Sequence, residues 1–175
     1  EGKIVVRLKS GDPLVFGRGG EEASFLSENG IPFEIVPGIT AALSCAADAG
    51  IPLTDRRYSS SVTFFSGVDG EECKNRDEAP SNTFVVYMGI EAASSVREKL
   101  LERGLAETTP IAVIEKGGSA GRRVFFSSVA GLPECVSSNG IESPALIIAG
   151  EVVGHAVASQ SCFTSPASAR SESLL

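Results

Sequence analysis

The sequence predicts an α/β fold, and three observations carry that prediction. Short β-branched or apolar runs alternate with stretches of helical character, glycine and proline punctuate the changes, and 42% apolar against 21% charged residues is a globular composition. Over the first 50 residues the order is strand, helix, strand, helix, which is the pattern of a parallel sheet.

Residues 3–8 (Lys-Ile-Val-Val-Arg-Leu) read as a strand running into the tight turn Ser10-Gly11-Asp12-Pro13. Glu21 to Asn29 reads as a short helix, with carboxylates in its first turn to complement the dipole, Gly30 just past its end and Pro32 beyond. A second strand is expected at 33–36 and a turn at Pro37-Gly38; Thr40 is the N-cap candidate of an alanine-rich helix stopped by Gly50 and Pro52. After Asp55-Arg56-Arg57 the pattern restarts. A domain boundary near 57–61 is therefore expected, dividing the chain into 1–57 and 61–155. In the second part strands are predicted at 62–65, 83–88, 111–114, 124–126 and 144–153. Helices are predicted at 91–103, with Val96, Leu100 and Leu101 on one side, and at 129–138. Residues 67–82 read as an exposed loop, and 156–175, rich in Ser and Ala, as a disordered tail.

Charge narrows the partners. Fifteen basic against 22 acidic residues leave a net charge of -7, which disfavours non-specific attraction to nucleic acid or to an anionic membrane, so any anionic ligand needs a local cluster of arginines. Four scattered cysteines without a Cys-x-x-Cys spacing, and one histidine, suggest neither a zinc site nor a disulfide framework; no metal is expected and the thiols read as free. No apolar run reaches the roughly 18–20 residues of a membrane-spanning helix. The chain opens on Glu1 and reaches strand-like sequence at once, so the expectation is that the natural start lies upstream, together with any targeting peptide.

Four segments offer chemistry. In Ser10-Gly11-Asp12-Pro13 the glycine allows backbone to approach a ligand and Asp12 can accept hydrogen bonds, although Gly-Asp-Pro alone is ordinary turn chemistry. Gly17-Arg18-Gly19-Gly20-Glu21-Glu22 concentrates charge on a minimal scaffold: Arg18 can clamp a carboxylate while Glu21 accepts a proton, or the glutamates can cap the helix dipole and pair with Arg18 at the surface. The small residues and hydroxyl of Pro37-Gly38-Ile39-Thr40-Ala41-Ala42 suit close approach of a nucleoside or amino-acid moiety, or a plain strand-to-helix connection. Arg56 and Arg57 stand at the expected inter-domain crevice. Met88 reads as core or turn packing, and His155 receives no function.

Taken in order, the blocks 6–22 (Val-Arg-Leu-Lys-Ser-Gly-Asp-Pro-Leu-Val-Phe-Gly-Arg-Gly-Gly-Glu-Glu), Val-Pro-Gly-Ile-Thr-Ala-Ala (36–42), Gly-Ile-Pro-Leu-Thr-Asp-Arg (50–56), Tyr-Met-Gly (87–89) and Ser-Pro-Ala-Leu-Ile-Ile-Ala-Gly-Glu-Val-Val (143–153) resemble the uroporphyrinogen-III C-methyltransferases of the tetrapyrrole methylase family. The resemblance spans about residues 3–153. It implies two α/β domains with the ligand cleft between them, the N-terminal domain here partly missing, because the family's opening strand and Gly-x-Gly-Pro-Gly-Asp loop do not appear. A chain without them is expected to be poorly stable and inactive. It further implies S-adenosylmethionine as methyl donor, uroporphyrinogen III as substrate methylated at C2 and C7 to precorrin-2, a homodimer, and a cytoplasmic or, with an upstream transit peptide, plastid location. By position, Ser10, Gly11, Asp12 and Val15 match the family's cofactor loop, Thr40 and Ala41 its second cofactor segment, Met88 and Gly117 contacts from the C-terminal part, and Pro144 and Ala145 an approach to the adenine. Arg18, Glu21 and Arg56 match residues that hold or activate the tetrapyrrole. The alternatives are another precorrin methylase or a non-catalytic truncated relative.

Overall fold

The computed structural model describes residues 2–68 and 82–157. Its elements in chain order are α1 (Gly19–Glu28), α2 (Ala41–Ala49), β1 (Ser61–Ser66), β2 (Asn82–Tyr87), α3 (Ala93–Glu102), β3 (Pro110–Glu115), β4 (Arg123–Ser128), α4 (Leu132–Ser138), β5 (Ala145–Ala149) and a 3-10 helix at Glu151–His155. This is an α/β fold around one five-stranded sheet of order β1-β2-β5-β3-β4. The sheet is mixed: β1 and β2 run parallel, whereas β5 is antiparallel to both β2 and β3, and β4 is antiparallel to β3.

The three central strands are buried on both faces, and their period of two sorts the side chains into two cores. Phe84, Val86, Ile111, Val113, Ile147 and Ala149 point to one face, where Val96 and Leu100 of α3 and Leu132 of α4 cover them. Val85, Tyr87, Ala112, Ile114, Leu146 and Ile148 point to the other, covered by Ala42, Cys45 and Ala46 of α2 and by Val152 and Val153. Alanine on α2 lets that helix lie close: a methyl at Gly117 would stand 2.3 Å from the Cys45 sulfur. The packing of α2 thus crosses the division expected at 57–61.

The first 60 residues depart most from expectation. Neither 3–8 nor 33–36 is a strand; Ile4, Val5, Val6 and Leu8 are 93%, 88%, 79% and 83% exposed. A strand exists only through the hydrogen bonds of a neighbour, and no described strand lies beside either segment, so β propensity goes unused and the parallel sheet expected over the first 50 residues is not formed there. Both helices of this region appear where expected, α2 ending at Gly50 in the left-handed conformation. Elsewhere the corrections are local. The strand expected at 144–153 ends at Ala149, because Gly150 (φ 145°) turns the chain into the 3-10 helix. The helix expected from 129 starts at Leu132 after a turn that buries Val129. Of the expected tail, Ala156 and Val157 are bound into the fold, Val157 donating its N–H to the Gly50 carbonyl at 2.9 Å, and 158–175 lie outside the described residues. The loop expected at 67–82 lies mostly outside them too.

Candidate functional site

Two glycine turns meet beside the sheet. The carboxylate of Asp12 accepts the N–H of Gly38 at 3.0 Å and that of Leu14 at 2.8 Å, so it ties the Ser10–Pro13 turn to the segment leading into α2. Those hydrogen bonds, Gly38 first, hold its carboxyl below the ordinary carboxylate range. Glycine is required where the turns touch, since a methyl at Gly38 would stand 2.0 Å from the Gly11 carbonyl oxygen, and Gly11 itself has φ 70°. Ser10 and Gly11 lie exposed at this junction, and Val15 packs against the core that α2 covers.

Thr40 is the N-cap of α2 but makes no side-chain cap; its hydroxyl is 2.6 Å from the Tyr87 hydroxyl instead. Tyr87 also takes the Ala42 N–H at 3.0 Å and stacks at a tilt on Phe16, with ring centroids 4.5 Å apart. One buried phenol therefore joins the end of β2, the start of α2 and the loop that carries Arg18. Tyr87 was not singled out from the sequence, although a phenol at the end of the apolar run Phe84-Val85-Val86 is a signal that its hydroxyl has a partner. Ala41 is exposed beside it.

The remaining positions gather along one edge of the sheet. Ser66 pairs with Tyr87, and Glu115 with Ala145, so the ends of β1, β2 and β3 and the start of β5 stand in a row. Met88 follows β2 at this edge with φ 52° and half of its surface exposed, which takes it out of the core role read from the sequence. Gly117 is pressed against Cys45, and exposed Pro144 accepts the Lys116 N–H at 2.9 Å. The Ser66 hydroxyl is buried without a hydrogen-bond partner, alone in that respect among the described residues. Phe16, Arg18, Met88 and Lys116 are the described non-glycine residues with positive φ, and all four lie on these loops.

Arg18 and Glu21 border a depression of about 360 Å³ lined also by Arg7, Lys9, Gly17 and Glu22. Arg18 holds Glu21 through its Nε at 3.0 Å and its Nη2 at 2.6 Å, and Lys9 reaches Glu22 at 3.0 Å while Arg7 lies 3.4 Å from it. The Arg18 bond lowers the proton affinity of Glu21, and the Lys9 bond that of Glu22. In this arrangement Glu21 is a weak base, and the surface pairing with Arg18 is the one formed. Arg7 and Lys9 were not singled out from the sequence; their spacing of two places them on one side of an extended segment. Arg56 stands apart, exposed in the Asp55–Ser59 turn, whereas Arg57 is engaged by the Asp55 carboxylate. That pairing, side chain first, lowers Asp55 to about 2.

The chain is similar in sequence and fold to known proteins. Residues 1–133 match the family model of the tetrapyrrole (corrin/porphyrin) methylases. A siroheme synthase of Pseudomonas fluorescens strain Pf0-1 is 49% identical over 156 residues, which cover 87% of this chain and 34% of the relative. The crystal structure of a uroporphyrin-III-C-methyltransferase from Thermus thermophilus superposes with a TM-score of 0.72 at 40% identity, covering 82% of this chain and 62% of that one. The crystal structure of a uroporphyrin-III C-methyl transferase from Thermus thermophilus complexed with S-adenyl homocysteine superposes with a TM-score of 0.72 at 36% identity, covering 85% of this chain and 64% of that one. The chain thus spans about a third of the siroheme synthase and under two thirds of the solved methyltransferase. With a family match over most of its length and the same α/β architecture in its described residues, the chain belongs to the tetrapyrrole methylases.

Proposed function

We propose that the chain is the core of an S-adenosylmethionine-dependent uroporphyrinogen-III C-methyltransferase, which methylates C2 and C7 and yields precorrin-2 for sirohaem and cobalamin-type cofactors. The observation that carries the reading is the depression in which three cations, Arg7, Lys9 and Arg18, outnumber their two partners Glu21 and Glu22 on a protein of net charge -7. A tetrapyrrole with acetate and propionate arms is a polyanion, and clustered guanidinium and ammonium groups are what such a ligand requires. The similarity at 40% identity to a uroporphyrin-III-C-methyltransferase, and at 36% to one complexed with S-adenyl homocysteine, supports the same substrate pair. Residues 1–57 and 61–155 are proposed as its two domains, and a homodimer as its assembly.

The donor fits the residues present. Gly11, with φ 70°, and Gly38, where a Cβ would collide with the Gly11 carbonyl oxygen, carry no side chain where the two turns touch, and the unpartnered Ser66 hydroxyl lies at the same sheet edge as Met88 and Ala145. Ser10, Gly11, Asp12, Val15, Thr40, Ala41, Met88, Gly117, Pro144 and Ala145 would hold it. S-adenosylmethionine supplies, when bound, an electrophilic methyl on a sulfonium, so the protein's share is mostly alignment. Asp12 and Tyr87 keep the two turns and α2 in register, while Arg18 and Arg56 grip carboxylates of the substrate. A substrate carboxylate competes with Glu21 for Arg18. Losing that partner raises the basicity of Glu21, which then takes the ring proton.

Calorimetry with S-adenosylmethionine and a methylation assay on uroporphyrinogen III, read by fluorescence of the oxidised product and run on this chain joined to the family's opening strand and Gly-x-Gly-Pro-Gly-Asp loop, test the proposal. Glu21→Gln is expected to cut turnover by roughly 100-fold with little loss of substrate affinity, and unchanged turnover removes Glu21 from the reaction. Methylation of a later precorrin in place of uroporphyrinogen III would keep the chemistry and change the substrate.

A further inference from the structure

The chain's one histidine lies in a stack. The rings of His155 and Tyr58 are 3.6 Å apart between centroids and 13° from parallel. Tyr58 belongs to the turn Asp55–Ser59, which is closed by the Asp55 N–H donating to the Ser59 carbonyl at 3.0 Å and the Ser59 N–H to the Asp55 carbonyl at 2.8 Å. Within it Arg57 is fully engaged. Its backbone N–H and guanidinium donate to the Asp55 carboxylate at 2.9, 3.0 and 2.9 Å, and the guanidinium carbon lies 5.0 Å from the Tyr58 ring centroid. Arg56, next to it, is exposed and makes no side-chain hydrogen bond or ion pair among the described residues.

A second tie runs through the same segment. His155 ends the 3-10 helix, whose Val152 and Val153 are anchored in the core, and two residues later the Val157 N–H donates to the Gly50 carbonyl at 2.9 Å. Gly50 cannot be replaced without displacing that contact, since a Cβ there would stand 1.9 Å from the Val157 carbonyl oxygen. Residues 151–157 therefore grip the 50–59 linker twice, at the end of α2 and at Tyr58. Apart from the bridge between Asp55 and Ser59, the linker has no strand pairing of its own.

We propose that this strap, with the His155–Tyr58 stack as its clasp, positions Arg56 for the carboxylate arms of a tetrapyrrole; the proposal rests on the reading of Arg56 given above. His155 and Tyr58 are then positioning residues that act through Arg56 without touching substrate. The stack confines the turn, and a confined turn presents a guanidinium at one place, which lowers the entropy lost when a carboxylate binds.

The experiment is a titration of uroporphyrin III, followed by quenching of its fluorescence, with the full chain and its Arg56→Ala, His155→Ala, His155→Phe and Arg56→Ala/His155→Ala variants, each checked by melting temperature. The expected result is a loss of affinity in Arg56→Ala, a further effect of about 3- to 10-fold for His155→Ala only when Arg56 is present, and near-normal binding in His155→Phe, which keeps the stack. Should His155→Ala melt too low to titrate, Tyr58→Leu keeps the apolar bulk without the stack and is read the same way. Equal losses with and without Arg56 would mean that the strap only supports the fold, and would overturn the proposal. Full affinity in His155→Ala beside a clear loss in Arg56→Ala overturns the clasp alone. No loss in Arg56→Ala, or no binding by the unmodified chain, removes the reading of Arg56 and the clasp together.

Discussion

Tyr87 shows how much of this site hangs on one hydroxyl. It is buried at the end of β2 and bonds both the Thr40 hydroxyl and the Ala42 N–H, so removing the oxygen leaves two groups without partners in a region that water does not reach. Tyr87→Phe is expected to lower stability by about 1–3 kcal/mol, measurable as a fall in melting temperature. If the turns it ties together also hold the methyl donor, the variant's affinity for S-adenosylmethionine falls beyond what the stability loss explains. Glu115 makes a different kind of prediction. Its buried carboxylate is gripped by Arg123 through two nitrogens and accepts the Glu142 N–H at 2.9 Å, and these bonds, Arg123 first, bring it from 4.5 to about 2. Because the folded state binds this proton less tightly than the unfolded state, the stabilisation is complete above about pH 4.5 and is lost as the pH falls toward 2. Glu115→Gln should flatten the acid limb of a melting-temperature profile over that interval, and an unchanged limb would assign acid lability to other carboxylates.

Helices and strands in this chain obey their local signals unequally. α2 starts after Thr40 and stops at Gly50 as expected, although the Thr40 hydroxyl bonds Tyr87 and caps nothing, because a helix satisfies most of its own backbone and needs little beyond an apolar stripe. Gly50→Ala challenges both the left-handed φ of 65° and the Val157 contact, and is expected to cost at least about 1–2 kcal/mol, seen as earlier unfolding in urea. The strands of the sheet likewise follow their β-branched runs, with ends moved by one to four residues at Met88 and Gly150, where the backbone leaves the ladder for special φ values. Segments 3–8 and 33–36 carry equally good β sequence and form no strand. Propensity proposes a strand, and a neighbour with free N–H and C=O groups is needed to make one.

Taken together, the described chain has a two-sided core in its sheet and an N-terminal stretch whose apolar side chains lie largely in solvent. Hydrogen exchange should divide it accordingly, with slow amides in β2, β3 and β5 and fast ones over residues 3–8 and 33–36; slow exchange in those two segments would show them paired in solution. The α/β class, nearly all the helices and the sheet strands, and the family itself were legible in the linear order of residues, because short-range periodicity, caps and glycine turns are written locally. So were the blocks around Gly11, Arg18 and Thr40. The mixed strand order, the seating of α2 on the sheet, the Asp12 tie to Gly38, the Tyr87 junction and the stack of His155 on Tyr58 were not. The Asp12 tie spans 26 positions and the stack of His155 on Tyr58 spans 97, and such contacts depend on which surfaces meet after the chain has folded, a property that no stretch of neighbouring residues encodes.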